Sequence, residues 1–206
     1  MSKYEGLNEY EIRDWEESSA RSLYNKLKGG IFHRTSTEGF QGIRDTGFIS
    51  PNEGKFPCTY KQSKNSYGFH NNYVSVFNFV KLTLKECILQ HYNWEPFFYD
   101  QKPVTIILKI NIEKTQDKII NYHTVPKSKD FYKFNYIPYV ESWYPEPIPF
   151  DFIDSFHMSF FDEKKSVSHF EGFDKENINE FVEKIFTTDL GKRSIFKRNF
   201  WTLTFF

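Results

Sequence analysis

The sequence predicts a mixed α+β fold, one domain over residues 31–206 preceded by a helical extension over residues 1–30. Three observations carry this reading. Apolar residues recur at helical spacing near both ends of the chain, β-rich alternating segments outnumber helical ones in the middle, and no internal repeat is visible. At 206 residues the chain is long enough to bury one proper core.

Taken in order, residues 8–28 read as an amphipathic helix with Ile12, Trp15, Leu23 and Leu27 near one face, stopped by Gly29-Gly30. Ile31-Phe32-His33-Arg34-Thr35 is a short strand that delivers a histidine and a threonine. Ser36 or Thr37 starts a helix carrying Phe40 and Ile43, Gly47 ends it, and Phe48-Ile49-Ser50-Pro51 closes the unit as a short strand. Residues 52–72 are polar and aperiodic and read as a long loop, a length that often goes with a binding site. Tyr73-Val74-Ser75-Val76-Phe77 alternates and reads as a strand, after which Asn78 caps a helix to about His91 that buries Val80, Leu84, Cys87 and Ile88. Residues 104–112 form the clearest strand, bracketed by Pro103 and the charged stretch 113–118. Residues 124–135 read as a second, basic loop, 136–143 as a strand, and 148–160 as one or two more. Asp174 caps a last helix through Leu190, with Ile178, Phe181, Val182, Ile185 and Phe186 on its apolar face and Gly191 as its stop. Residues 198–206 read as a terminal strand or an apolar tail, with a buried strand the preferred expectation.

Formal net charge is +0, so no global field draws the chain to nucleic acid or to an anionic membrane. The 20% aromatic content, with Ala20 as the only alanine, reads first as codon bias of an AT-rich genome. Its physical consequence is a core of large rings. Cys58 and Cys87 lie too far apart for a metal-ligand pair, and two cysteines make no disulfide framework. No segment approaches the ~20 apolar residues needed to cross a bilayer, and with Glu5, Glu9, Glu11 and Asp14 falling early no secretory signal is expected. A soluble, reducing, cytoplasmic setting follows as the expectation.

Three polar groups are placed to carry chemistry. His33 ends a strand that feeds a helix; Ser75 sits between two valines on a second strand; Glu141 stands on a third β-rich segment, followed by Pro145-Glu146-Pro147-Ile148-Pro149. Singly, each has an ordinary structural reading, since edge-strand glutamates are commonly solubilising charges. Their order along the chain, with the His-x-Thr strand, the helix ending in a Gly-hydrophobic turn, the polar loop and the glutamate strand, resembles the ADP-ribosyltransferase family over about residues 31–153. The resemblance implies a sheet split around an NAD cleft and NAD consumed as substrate. It implies that His33 holds the donor's ribose with Thr35 supporting the strand edge, that Ser75 (Tyr73 as alternate) fills the second motif, and that Glu141 is the catalytic carboxylate with Glu146 as substitute. Arg34, Arg44 and Lys55 are candidates for the pyrophosphate, and Tyr67 and Tyr73 for stacking on nicotinamide. Cleaving the nicotinamide–ribose bond passes through an oxocarbenium-like cation that a carboxylate stabilises. No metal is implied. Arg34 stands where polymerase-like members have glycine, and Tyr139 stands where arginine-modifying members have an acidic residue or glutamine, which disfavours arginine as acceptor. A protein or nucleic-acid acceptor stays open, and a toxin or defence role with an antitoxin or inhibitor partner is the setting the resemblance implies.

Two other readings compete. RNA 2′-phosphotransferases resemble the same architecture, but Ser75 stands where they use a histidine. A non-catalytic interaction module is the second, with Trp143 and Tyr144 expected at the surface beside the aromatic residues of the C-terminus. A metal-dependent hydrolase built on His123, His157, His169, Asp151, Asp154 and Asp162 lacks any ligand pair at metal-site spacing.

Overall fold

Helix α1 (Ser19–Leu27) buries Tyr24 and Leu27 and ends where Gly29 takes φ +79, a left-handed conformation that glycine adopts without a Cβ penalty. The computed structural model describes residues 19–52, 64–98, 104–161 and 167–172. Ile12 and Trp15, Lys55 and Cys58, and the expected helix 174–190 and terminal strand 198–206 lie outside the described residues. The N–H of Gly29 donates to Phe79 O at 3.0 Å, which ties the extension to the domain.

Strand β1 (Ile31–Thr35) runs straight into α2 (Thr37–Thr46). Ser36 caps that helix by accepting from Gly39 N at 3.1 Å, and Gly47 ends it at φ 75. Phe40 and Ile43 point into the core as their spacing requires. β2 (Phe48–Ile49) pairs with β7 (Ile148–Pro149) in a separate two-stranded ladder.

Several segments differ from expectation. Inside the long loop a turn of helix forms, α3 (Tyr67–His70), capped by the Ser66 hydroxyl. β3 is Val74–Asn78, and Asn78 belongs to it rather than capping a helix. The helix that follows is shorter, α4 (Leu84–Leu89), because Thr83 and Glu86 form a reciprocal capping box five residues later. α5 (His91–Trp94) continues it. β4 (Val104–Ile110) gives way to α6 (Ile112–Thr115) at an Asn111 cap, then to the two-residue β5 (Ile120–Asn121). The strand expected over 136–143 reduces to β6 (Glu141–Tyr144), because Pro138 and Tyr139, the latter at φ 65, break the alternation before it. β8 (Ile153–Phe161) and the unanticipated β9 (Val167–Gly172) complete the set.

Among the described residues, seven strands form one antiparallel sheet in the order β5-β6-β3-β1-β4-β8-β9. β1 pairs with β4 along all five of its residues, yet with β3 only at Ile31↔Asn78 and Phe32↔Phe77. Alternation sends Ile31, Val74 and Val76 to one face, under Phe40 of α2, and Phe32, Phe77 and Ile107 to the other, under α1 and α4. The second face is built from rings, with Phe79–Trp94 centroids at 5.3 Å and Phe77–Phe98 at 4.9 Å, as the composition implied. Trp143 and Tyr144 are fully buried, which removes them from any partner surface. The mixed α+β class stands, and among the described residues no helix is long and apolar enough to cross a membrane.

Candidate functional site

His33, Ser75 and Glu141 come from three neighbouring strands, β1, β3 and β6, and hydrogen bonds connect them. In the β3–β6 register Ser75 faces Trp143 and Phe77 faces Glu141, so Ser75 and Glu141 share one face on a diagonal. The Ser75 hydroxyl bonds the Glu141 carboxyl. Two further donors complete its shell: Ile137 N–H reaches Oε2 at 2.9 Å and the Trp143 indole N–H reaches Oε1 at 3.2 Å. His33 lies on the opposite face, just past the point where the β1–β3 ladder stops. Its Nδ1 meets the Ser75 carbonyl oxygen at 3.1 Å and so bridges the two strands.

The protonation states follow from burial. The His33 pKa falls to about 4, first because burial disfavours the imidazolium and then because Arg34 is adjacent; the Ser75 carbonyl opposes this only in part. The ring is therefore neutral at pH 7. A carbonyl only accepts, so the proton sits on Nδ1 and Nε2 is left as an acceptor. Burial pushes the Glu141 carboxyl above the ordinary carboxylate range, while the Ile137, Ser75 and Trp143 donors pull it back.

α3 seats on this pair. A Cβ on Gly68 would lie 2.3 Å from Ser75 Oγ and 3.0 Å from Trp143 Cδ1, so the helix approaches that closely only because residue 68 has no side chain. Tyr67 is carried over Trp143, edge-on at 4.6 Å, with Phe131 at 4.9 Å and Tyr73 at 6.3 Å. The Gly68 contact was invisible in the sequence, as was Trp143 as a donor to Glu141.

The other expected site residues fall as follows. Thr35 is buried beneath α2, where a Cβ on Gly39 would meet its Oγ1 at 2.3 Å, so it fixes the helix on the strand. Arg34 falls on the Phe32 face, the one that carries Ser75 and Glu141. Arg44 pairs with Asp45 at 3.9 Å on α2. Glu146 does not join the site, because it lies in the β6–β7 turn, ion-paired with Lys118 and accepting from the Tyr144 hydroxyl. Among the described residues no group of three or more metal-ligating side chains gathers. His123 instead pairs with Glu86 at 3.2 Å. Among the described residues, a cavity of about 670 Å³ opens between α1 and α4 and one of about 400 Å³ beside Asn78, Asn121 and Tyr139, and neither of these is lined by His33, Ser75 or Glu141.

No protein-family model matches the chain, and no curated protein does. One solved structure, the X-ray crystal structure of protein CC0527 from Caulobacter crescentus, is similar at a TM-score of 0.39 and 7% identity, over 74% of this chain and 97% of that one. At that TM-score the likeness assigns neither fold nor function.

Proposed function

We propose that this chain is an NAD-dependent ADP-ribosyltransferase of the split-sheet type, cleaving the nicotinamide–ribose bond of NAD and passing ADP-ribose to a macromolecule or to water. The observation that carries the reading is the placement of His33, Ser75 and Glu141 on three adjacent strands, with Ser75 and Glu141 side by side on one face and His33 at the end of the β1–β3 ladder on the other. The β1–β3 ladder that stops after Phe32 also supports it, since a sheet parting at that point opens the gap that such a donor needs.

In this reading Glu141 supplies negative charge beside the developing oxocarbenium ion. The Ser75, Ile137 and Trp143 donors hold the carboxyl fixed and oppose the burial that raises its pKa, so little reorganisation is needed during the reaction. His33 stands on the opposite face of the sheet from Glu141, so in this reading it does not touch the same ribose but ties β1 to β3 through the Ser75 carbonyl where the ladder stops. A non-catalytic reading rests on one observation: a glutamate 8% exposed with three donors also serves as a structural lock for the 137–141 turn.

Nicotinamide release from NAD by the full chain, wild type against Glu141→Gln, separates the two. The transferase reading expects release, with a loss of ~100-fold or more in the variant while circular dichroism is unchanged. No release by wild type, with or without added acceptor, rejects it.

A further inference from the structure

The loop that leads into Glu141 carries three lysines, Lys127, Lys129 and Lys133, against the single Asp130, in a chain whose formal net charge is +0. Lys64 joins them, because Asn135 N donates to Asn65 O at 2.8 Å and Tyr67 N to Asn135 O at 3.1 Å, laying the start of α3 beside the loop. Rings are interleaved with these cations. Tyr132 is 60% exposed, and Phe134 stacks on His70 at 4.7 Å. Beneath them Phe131 is fully buried against Tyr67 and Trp143, so the exposed ring stands on a rigid base. Lys127 lies 3.5 Å over the Tyr122 ring and 4.6 Å over Phe131, and Lys133 pairs with Asp130 at 2.6 Å, while Lys64 and Lys129 are exposed.

We infer that this face binds single-stranded nucleic acid. Lysines spaced along a surface neutralise phosphates, and exposed rings held on a fixed base stack with unpaired bases, a contact that a duplex does not offer. An acidic peptide would use the lysines and leave Tyr132 without a role. The face runs into the candidate site through Ile137, whose N–H holds Glu141, and through Phe131 and Trp143. Single-stranded nucleic acid is then the acceptor of the transfer: a nucleophilic N–H or O–H of the strand bonds the ribose C1′ as the C1′–nicotinamide bond breaks, nicotinamide leaves neutral, and the nucleophile's proton passes to solvent. That identification rests on the transferase reading, whereas binding does not.

The test is fluorescence anisotropy of a fluorescein-labelled oligothymidylate with the full-length protein at low ionic strength, beside a labelled duplex of equal length. Wild type binds the single strand more tightly than the duplex. Tyr132→Ala weakens binding about tenfold and Tyr132→Phe restores it, since stacking needs the ring and not the hydroxyl. Replacing Lys64 and Lys129 by Gln lowers the magnitude of the salt slope by ~0.7 for each lysine. No binding, equal binding to the duplex, or binding untouched by all these variants overturns the inference. Oligonucleotide binding without nicotinamide release leaves this face standing and rejects the transferase. Nicotinamide release without oligonucleotide binding does the reverse.

Discussion

Gly68→Ala tests how α3 seats on the site. In a helix, alanine is worth about 0.5–1 kcal/mol over glycine, so propensity alone makes this variant more stable. The surroundings oppose that gain. The new Cβ would stand 2.3 Å from Ser75 Oγ and 3.0 Å from Trp143 Cδ1, separations at which something must move. Overpacking of this kind costs about 1–3 kcal/mol. The Ser75 hydroxyl is also tied to the buried Glu141 carboxyl, so displacing it strips a donor from that group. Net destabilisation of about 1–2 kcal/mol is therefore expected by urea unfolding. Ser75→Ala removes the 2.3 Å contact and leaves only Trp143 opposing the methyl. The double variant should thus be more stable than the sum of the single effects, with a coupling of about 1 kcal/mol. If Gly68→Ala raises stability, or if the two substitutions simply add, α3 does not rest on Ser75 and the account of the site's roof is wrong.

Further expectations concern charge and capping. The folded protein resists protonating His33 down to about 4, whereas the unfolded chain takes that proton near 6.5, so stability falls as pH drops from 7 toward 4. By pH 5 that loss is about 2 kcal/mol. His33→Gln should flatten the curve by this amount in denaturant titrations at pH 7 and pH 5, and an unchanged slope would refute the assignment. Glu141 has the opposite sign, because its raised pKa makes the folded state take up the proton first. If the ionised form does the chemistry, nicotinamide release should decline on the acid side with an apparent pKa above the ordinary 4.5, and Gln at that position should abolish the limb. Thr83→Ala removes one half of the capping box with Glu86 and should cost about 1 kcal/mol, read as a lower Tm with nicotinamide release intact.

The parts legible in the sequence are those that local chemistry determines. Ser36 and Gly47 bound α2 as their types demand, and the alternation through Val74, Ser75 and Val76 set both the strand and the faces its side chains take. Misreadings arose where two local signals competed. Asn78 is a good helix cap, but Thr83 with Glu86 offers two reciprocal bonds, and the helix begins there. The apolar run from Tyr136 imitates a strand until Pro138 and the positive φ of Tyr139 are taken into account. Trp143 looked exposed beside the prolines of the following turn, yet both faces of β6 are covered, with Tyr67 and Phe131 packed on Trp143 and the cluster around Val74 and Ile148 enclosing Tyr144. Gly68 could not be read at all, since the need for a missing Cβ arises only when Ser75 and Trp143 arrive from elsewhere in the chain.

The strand order also has a kinetic consequence. β1, which carries His33, rests between β3 and β4, and its full-length partner spans residues 104–110. During synthesis that early segment can meet β3 only at Ile31 and Phe32 and waits for its full-length partner until the ribosome has released the middle of the chain. Pairings so remote in sequence close slowly, on a scale of milliseconds to seconds for sheets dominated by them. Glu141 arrives later still, on a strand that docks against β3. The three polar groups therefore share no neighbourhood in a nascent or partly folded chain, and whatever they do together switches on only when the sheet is complete.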